Sequence, residues 1–472
     1  MRQNAVPVVS ALQDAKDLIM QIIDIYNKYK ECGAVTTDTR TLKGGEMFFA
    51  LKGENFDGNE YALKALEAGA RYAVINSDSQ AAASGDSRLV IVEDTLKTLQ
   101  ELARWHRSMT FVDGKPLRVV ALTGTNGKTT TKELIRAVLS VKYNVTATEG
   151  NLNNSIGVPL TLLKINSETQ IAVVEMGASH PGDIKELVDI ALPDYGLITN
   201  VGKAHLQGFG SLEGVMATKG ELYDYLAEHR KIAFVNVDNP LLVQMASKRQ
   251  RMQIVPYGVN NNCAKVVVDE GGSPFLSMVI PNPCITDVKE NGASEWLAVK
   301  TNLIGAYNAD NVLAALCISS YLDVETADAI AAIAEYVPSN NRSQLTKTER
   351  NSLVVDAYNA NPTSMKAAIE NFAQLGMPSK VLVLGDMLEL GEDSLKEHIR
   401  IIKMAMELDL DMICLVGSEF GKACCETTDD KIMSFKTSCE LAGWLKENPV
   451  SGSVILIKGS RGTKMENIID TL

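Results

Sequence analysis

From residue 118 the chain runs in short apolar bursts, each closing on Gly, Asn or Thr: RVVALTG, IAVVEMGA, YGLITNVG and KIAFVNVD, with helix-length stretches between them. Runs that stay apolar instead of alternating fit strands buried on both faces, and their alternation with helices predicts a parallel sheet. A second series follows residue 340, in SLVVDAYNA, KVLVLGDM, DMICLVGS and SVILIKGS. Between the two, residues 258–300 are richer in Gly, Pro and Asn and predict an insertion of short strands or loops. Ahead of residue 118 the clearest element is helical, because LKTLQELARWHRS spaces Leu96, Leu99, Leu102 and Ala103 along one face. FVDGKP after it reads as a linker. The pattern predicts three α/β domains in a row, at 1–115, 116–335 and 336–472.

Composition narrows the picture. The chain has 472 residues, 46% hydrophobic and 22% charged, and a single core rarely grows past about 250–300 residues. Lys and Arg number 46 against 58 Asp and Glu, a net charge of −12, which argues against nucleic acid as a partner. The eight cysteines show no C-x-x-C pair and no metal spacing, as expected of reduced thiols in a cytoplasmic protein. The N-terminal MRQNAVPVVSALQDAKDLIM is broken by Gln, Asp and Lys, unlike a signal peptide. No apolar run approaches the ~18 residues of a membrane span, so no membrane insertion is expected.

One stretch carries chemistry on its face. In ALTGTNGKTTTKE, residues 121–133, a strand-like run meets a turn with Gly124 and Gly127, then Lys128 and Thr129, then the helical spacing of Leu134, Ala137, Val138 and Val141. The usual G-x-x-x-x-G-K-[ST] spacing would put its first glycine at Leu122. Unpaired backbone N–H groups and the dipole at a helix N-terminus attract phosphate, glycines let the backbone approach it, and Lys128 adds charge. The Thr129 hydroxyl is suited to Mg2+. The segment predicts a triphosphate site. Glu175 and His205 close or follow later strands of the same sheet and would face the same crevice. Glu175 offers a hard oxygen, whereas His205 reads equally as a ligand or as a packed or surface histidine. Lys219 in MATKGEL reads, by spacing alone, as a solvated helix residue.

TGTNGKTTTKE, GNLNNSIGVPLTLL, VVEMGASHPGDI, NVGKAHLQGFGS, GAYNADNVLAA and DAYNANPTSM together resemble the Mur ligases, ATP-dependent amide-forming enzymes that build the peptide stem of the bacterial cell wall. Their G-T-N-G-K-T loop accounts for the unusual spacing. TDTRTLKGGEMFFALKGENFDGN, LGDMLELGEDS and KGSRGTKME resemble the member that adds the terminal dipeptide. The D-N-P-R motif of the preceding ligase is absent; VDNPLL shares three letters with it but lacks the Arg. The likeness runs from about residue 22 to the C-terminus, leaving some twenty residues ahead of the usual start, and Asn59 stands in FDGNEYA where the family has His.

The resemblance implies a small α/β N-terminal substrate domain, a central P-loop-type parallel-sheet ATPase domain and a C-terminal Rossmann-like domain. It implies ATP held by Gly124, Thr125, Asn126, Gly127, Lys128, Thr129 and Thr130, with Asn308 near the adenine, Arg342 on the triphosphate and Asp356 on the ribose or phosphates. Arg342 follows Asn in SNNRSQ, where the family has Gly-Arg. Mg2+ would be held by Thr129, Glu175, His205 and a carbamylated Lys219, the catalytic set being Lys128, Glu175, His205 and Lys219. Asp38, Thr39 and Arg40 match the motif that contacts UDP, and Asn151, Asn153 and Asn154 the substrate-side asparagines. Lys458, Ser460 and Arg461 follow an apolar strand and read either as dipeptide contacts or as a solvated cluster.

The implied partners are UDP-N-acetylmuramoyl-tripeptide, D-alanyl-D-alanine and ATP, on a monomer. ATP phosphorylates the carboxylate, and the dipeptide amine attacks the acyl phosphate. The C-terminal domain is expected to close over the site and exclude water. No residue stands out as the base, and His180 in GASHPGD reads as a loop residue. The alternatives are a related ligase, such as a folylpolyglutamate synthetase, and a nucleotide-binding protein that does not catalyse.

Overall fold

The apolar bursts are strands. A computed structural model describes residues 6–267, 273–282, 295–338, 344–375, 379–426 and 430–472, with side chains from residue 19 onward. A long helix, α1 (Val6–Cys32), precedes a four-stranded parallel sheet: β1 (Val35–Thr36), β2 (Met47–Phe49), β3 (Tyr72–Asn76) and β4 (Leu89–Val92), in the order β1-β2-β3-β4. Helix α2 (Thr95–Met109) follows, capped by the Asp94 carboxylate, which accepts the Lys97 N–H at 2.9 Å. Its predicted stripe is buried at Leu99, Leu102 and Ala103. FVDGKP is not an open linker. Phe111–Val112 pairs antiparallel with Lys115–Pro116 across Asp113 (φ +50°) and Gly114 (φ +72°), the two positive φ values a two-residue hairpin needs.

The next sheet holds β5 (Arg118–Thr123), β6 (Val145–Ala147), β7 (Ile171–Glu175), β8 (Tyr195–Ile198), β9 (Ile232–Asn236) and β10 (Gln253–Tyr257), in the order β6-β7-β5-β8-β9-β10. The phosphate-loop helix is α3 (Lys128–Ser140), with Leu134 and Val138 buried. Val141, expected on that apolar face, is instead an exposed C-cap, because the helix ends at Ser140. Helix α4 (Leu212–Glu228) starts at Ser211, whose hydroxyl accepts the Gly214 N–H. The Gly/Pro/Asn-rich insertion is a three-stranded antiparallel sheet of β11 (Lys265–Val267), β12 (Phe275–Pro281) and β13 (Trp296–Ile304), its last two strands longer than the composition predicts. Helix α5 (Ala309–Tyr321) follows.

The last sheet is β14 (Gln344–Lys347), β15 (Ser352–Asp356), β16 (Lys380–Gly385), β17 (Met412–Val416), β18 (Ile432–Phe435) and β19 (Val454–Lys458), in the order β14-β15-β19-β16-β17-β18. Only β14 runs antiparallel. Its strands read as unbroken apolar runs because alternate residues serve two cores. Val354, Leu382, Leu384 and Leu456 pack on one face, while Leu353, Val355, Val381, Val383, Ile455 and Ile457 pack on the other. Helices α6 (Pro362–Ala373) and α7 (Ser394–Met406) belong to this region.

The fold is thus the expected three-domain α/β arrangement. By packing, the chain forms two compact units. One runs to Ala121 and includes Tyr143–Gly177 and Asp183–Tyr195; the other comprises Leu122–Lys142, Ala178–Gly182 and Gly196–Leu472. No helix among the described residues is long and apolar enough to cross a membrane.

Candidate functional site

The phosphate loop is held from beneath by backbone and amide groups of the segment after β8. Asn200 O accepts the Thr125 N–H at 2.9 Å, and Asn200 Oδ1 accepts the Asn126 N–H at 2.9 Å. The Thr199 hydroxyl donates to Asn126 O at 2.6 Å. A Cβ on Gly124 would lie 1.9 Å from that hydroxyl, and one on Gly127 would lie 2.8 Å from Asn311 Oδ1. Both glycines have positive φ, +150° and +78°, so the backbone and the space above it require glycine independently. Gly127 ends the turn and α3 begins at Lys128, leaving N–H groups of Lys128, Thr129 and Thr130 at the helix N-terminus. The Lys128 ammonium donates to Gly124 O at 2.7 Å and Thr125 O at 3.1 Å, so it folds over its own loop.

Asn308 lies below this loop rather than at an open surface. It is buried, donates to Ile304 O at 2.8 Å and accepts from Asn311 Nδ2 at 2.8 Å, while Asn311 Oδ1 accepts from the Thr131 hydroxyl at 3.0 Å. Through these bonds its side chain supports α3 from below.

His205 takes a left-handed backbone conformation (φ +51°) at the start of a single helical turn, Leu206–Phe209. Its Nδ1 pairs with the Glu389 carboxylate, and its side chain is partly exposed. Burial pushes its pKa down, Glu389 pulls it back up, and the Lys128 and Lys219 ammonium groups push it down again. Lys219 corrects the reading of a solvated helix residue: it is 3% exposed on α4, its ammonium 5.8 Å from the centre of the Phe209 ring. Two ammonium groups thus bear on His205 in this unit, an arrangement suited to a polyanion. His180 is an exposed loop residue, as expected.

In the other unit, Glu175 ends β7 and is buried; Asn153 Nδ2 donates to Glu175 Oε1 at 2.9 Å, and the Thr148 hydroxyl accepts the Glu175 N–H at 3.0 Å. Asn154 spends its side-chain oxygen on the N–H groups of Ile156 and Gly157, at the start of the helix Gly157–Leu162, and Asn151 is exposed. Of the three substrate-side asparagines, only Asn153 is joined directly to the candidate metal ligand. The exposed Arg40 grips Asp38 with Nε and Nη2, at 2.7 Å for the latter, which lowers the Asp38 pKa to about 2; Thr39 lies between them, half-buried like Asp38.

At the carboxyl ends of β15 and β19, Lys458 donates to Asp356 at 2.5 Å and to Asn359 O at 3.2 Å and is 2% exposed. Ser460 is also buried, donating to Ala360 O and accepting the Leu388 N–H. Lys458 and Ser460 are therefore not solvated, whereas Arg461 is exposed beside the Tyr358 ring. Arg342 lies outside the described residues.

Comparison with known proteins decides the family. Residues 31–107 match the description "Mur ligase family, catalytic domain", residues 122–319 "Mur ligase middle domain" and residues 341–461 "Mur ligase, glutamate ligase domain". The chain is 35% identical to the UDP-N-acetylmuramoyl-tripeptide–D-alanyl-D-alanine ligase of Bacillus subtilis, over 93% of this chain and 92% of that one. This chain belongs to the Mur ligase family. The enzyme of the same name from Escherichia coli is 36% identical, with 93% of each chain covered. Among solved structures, MurF from Acinetobacter baumannii superposes with a TM-score of 0.80 at 29% identity, covering 93% of this chain and 92% of that one. MurF ligase from Thermotoga maritima in complex with ADP gives 0.77 at 27% identity, covering 93% and 96%.

The donor types that each unit offers suit Mg2+. Among the described residues no trio of His, Cys, Asp and Glu side chains forms a metal cage. Mg2+ needs none, since it keeps water and takes phosphate oxygens alongside one or two protein ligands. The Thr129 hydroxyl and Glu175 carboxylate are donors of that kind. Sequence reasoning missed Thr199, Asn200, Asn311, Asn361 and Glu389, all of which meet their partners across long stretches of chain.

Proposed function

We infer that the chain is an ATP-dependent amide ligase that joins D-alanyl-D-alanine to UDP-N-acetylmuramoyl-tripeptide, giving the UDP-pentapeptide, ADP and phosphate. The observation that carries this reading is the glycine-bound phosphate loop together with the trio Lys128, His205 and Lys219, in which both ammonium groups act on the histidine. A carboxylate and a γ-phosphate repel, and that trio suits the pair of anions which must meet.

A carboxylate is a poor electrophile for an amine in water. Transfer of the γ-phosphoryl group to a carboxylate oxygen makes an acyl phosphate; the dipeptide amine adds to its carbonyl, and phosphate leaves from the tetrahedral intermediate. The loop N–H groups and Lys128 hold the triphosphate and offset charge on the transferring group. Mg2+, when bound by Thr129, Glu175, His205 and a carbamylated Lys219, supplies further charge neutralisation. Carbamylation of Lys219, in which the ammonium loses a proton, the free amine adds to CO2 and a second proton is released, would convert a buried cation into an anionic oxygen donor. Asn153 orients Glu175 through its 2.9 Å bond. Asp38, Thr39 and Arg40 take the UDP portion, and Arg461 is the exposed member of the dipeptide-side group. Arg342 completes the triphosphate contacts. Domain limits at 1–115, 116–335 and 336–472, a monomeric state and a cytoplasmic location complete the reading.

The test is isotopic. With 18O in the tripeptide carboxylate, each turnover should place one 18O in the released phosphate; release of unlabelled phosphate alongside pentapeptide formation would exclude the acyl phosphate.

A further inference from the structure

Two motifs single out the dipeptide-adding member without explaining what they do: LGDMLELGEDS at 384–394 and KGSRGTKME at 458–466. In the structure they build one another. Ser460 Oγ accepts the Leu388 N–H at 3.0 Å, and Asp386 O accepts the Ser460 N–H at 3.1 Å. The buried His398 accepts the Met387 N–H on Nε2 at 3.0 Å and points Nδ1 at Ser394 O, 2.7 Å away, which fixes its tautomer. A loop fastened at 386, 387 and 388 then presents Glu389, in a left-handed conformation (φ +64°), to His205. Glu389 O also accepts the Gln207 N–H at 3.4 Å. Neighbouring contacts set the approach. Lys203 pairs with Glu397 at 2.8 Å, and Asn361, the cap of α6, donates to Asn126 of the phosphate loop at 2.8 Å.

We propose that Glu389 is a positioning residue for the nucleotide site, holding His205 by Nδ1 so that Nε2 is the nitrogen with a lone pair to offer. A carboxylate only accepts, so the Nδ1 facing it must carry the proton, and the tautomer follows from geometry. A ligating histidine is ordinarily oriented in this way by a carboxylate or carbonyl on its other nitrogen. Here the orienting group comes from the C-terminal sheet's loop, so the ligand is set only when that loop is docked. The two motifs thereby gain a role, since they fix the loop that fixes the histidine. The inference rests on the reading of His205 as a metal ligand.

The experiment uses the full chain with a non-hydrolysable ATP analogue and Mn2+ as probe. Free Mn2+ is followed by electron paramagnetic resonance for wild type, Glu389→Ala, Glu389→Gln and His205→Ala. Imidazole 15N shifts report the His205 tautomer. Glu389→Ala should weaken Mn2+ binding about ten- to a hundredfold and abolish the fixed Nδ1–H tautomer. Glu389→Gln, which can still accept from Nδ1, should recover most of both. A purely structural role would lower the unfolding midpoint without moving the tautomer, and the Glu389 side chain is 59% exposed, so folding is expected to survive. The proposal is overturned if Glu389→Ala leaves Mn2+ binding within about twofold of wild type while His205→Ala weakens it. If His205→Ala also leaves binding unchanged, the ligand reading of His205 fails and the Glu389 inference falls with it.

Discussion

Gly124→Ala should cost this protein both stability and nucleotide binding. The new Cβ would sit 1.9 Å from Thr199 Oγ1 and 3.1 Å from the Thr199 backbone nitrogen, at a φ of +150° that side chains rarely adopt. Thr199 is buried and uses its hydroxyl to hold Asn126 O at 2.6 Å, so it cannot yield without releasing the loop. Backbone strain costs about 1–3 kcal/mol, overpacking about 1–3 kcal/mol and the lost hydrogen bond about 1 kcal/mol. A total of about 3–7 kcal/mol corresponds to a fall of at least about 6 °C in the unfolding midpoint, at about 2–4 °C per kcal/mol for a domain of about 150–250 residues. The displaced loop should bind an ATP analogue at least about tenfold more weakly, roughly 1.4 kcal/mol of lost interaction. The control is Gly443→Ala: no atom lies within 4 Å of the added carbon, and the site is inside the helix Ser438–Glu447. There the same change should stabilise by about 0.5–1 kcal/mol. Scanning calorimetry and analogue titration on both variants decide the matter. Were Gly124→Ala to melt within about 2 °C of wild type with unchanged affinity, the steric argument for the loop would be wrong.

Further outcomes follow from other sites. Lys458→Met should destabilise by about 3–5 kcal/mol, because it strands the Asp356 carboxylate, and adding Asp356→Asn should recover part of the loss in urea unfolding. His398 is buried and its pKa lowered, mainly by burial. Its stabilising contribution is therefore complete above the unfolded value near about 6.5 and shrinks as pH falls through the lower folded value; the drop in stability between neutral and mildly acidic buffer should be smaller in His398→Gln. Cys414 is buried and its thiol pKa raised to about 12, so it should resist a thiol reagent in the native state while the exposed Cys263, Cys425 and Cys439 react, as peptide mapping would show. Asn361→Ser keeps a capping hydroxyl but removes the donor to Asn126, and should raise the KM for ATP several-fold with little change in melting.

What was legible in the sequence was local. The strand–turn–helix of residues 118–140 is written in consecutive residues, so both the loop and its phosphate chemistry could be read directly, as could the parallel sheets behind the apolar runs. Features that depend on distant chain were not legible. Lys219 has the look of a surface lysine until α4 is packed, and Lys458 until β19 is laid beside β15. Glu389 reaches His205 across nearly two hundred residues, with no periodicity or spacing to announce it. Asn308 matched a family position, but only the packing reveals that its amide supports Asn311 and the helix above. The FVDGKP segment misled because a Gly-Lys-Pro string serves a tight hairpin as readily as an open linker.

The most direct test of the central claim is phosphate release from Mg-ATP with UDP-N-acetylmuramoyl-tripeptide and D-alanyl-D-alanine omitted in turn, read together with product mass. Release that requires both substrates, with the UDP-pentapeptide formed in equal amount, is the predicted result. Release that proceeds equally without the dipeptide, with no pentapeptide formed, would leave an ATPase and contradict the assignment of the acceptor.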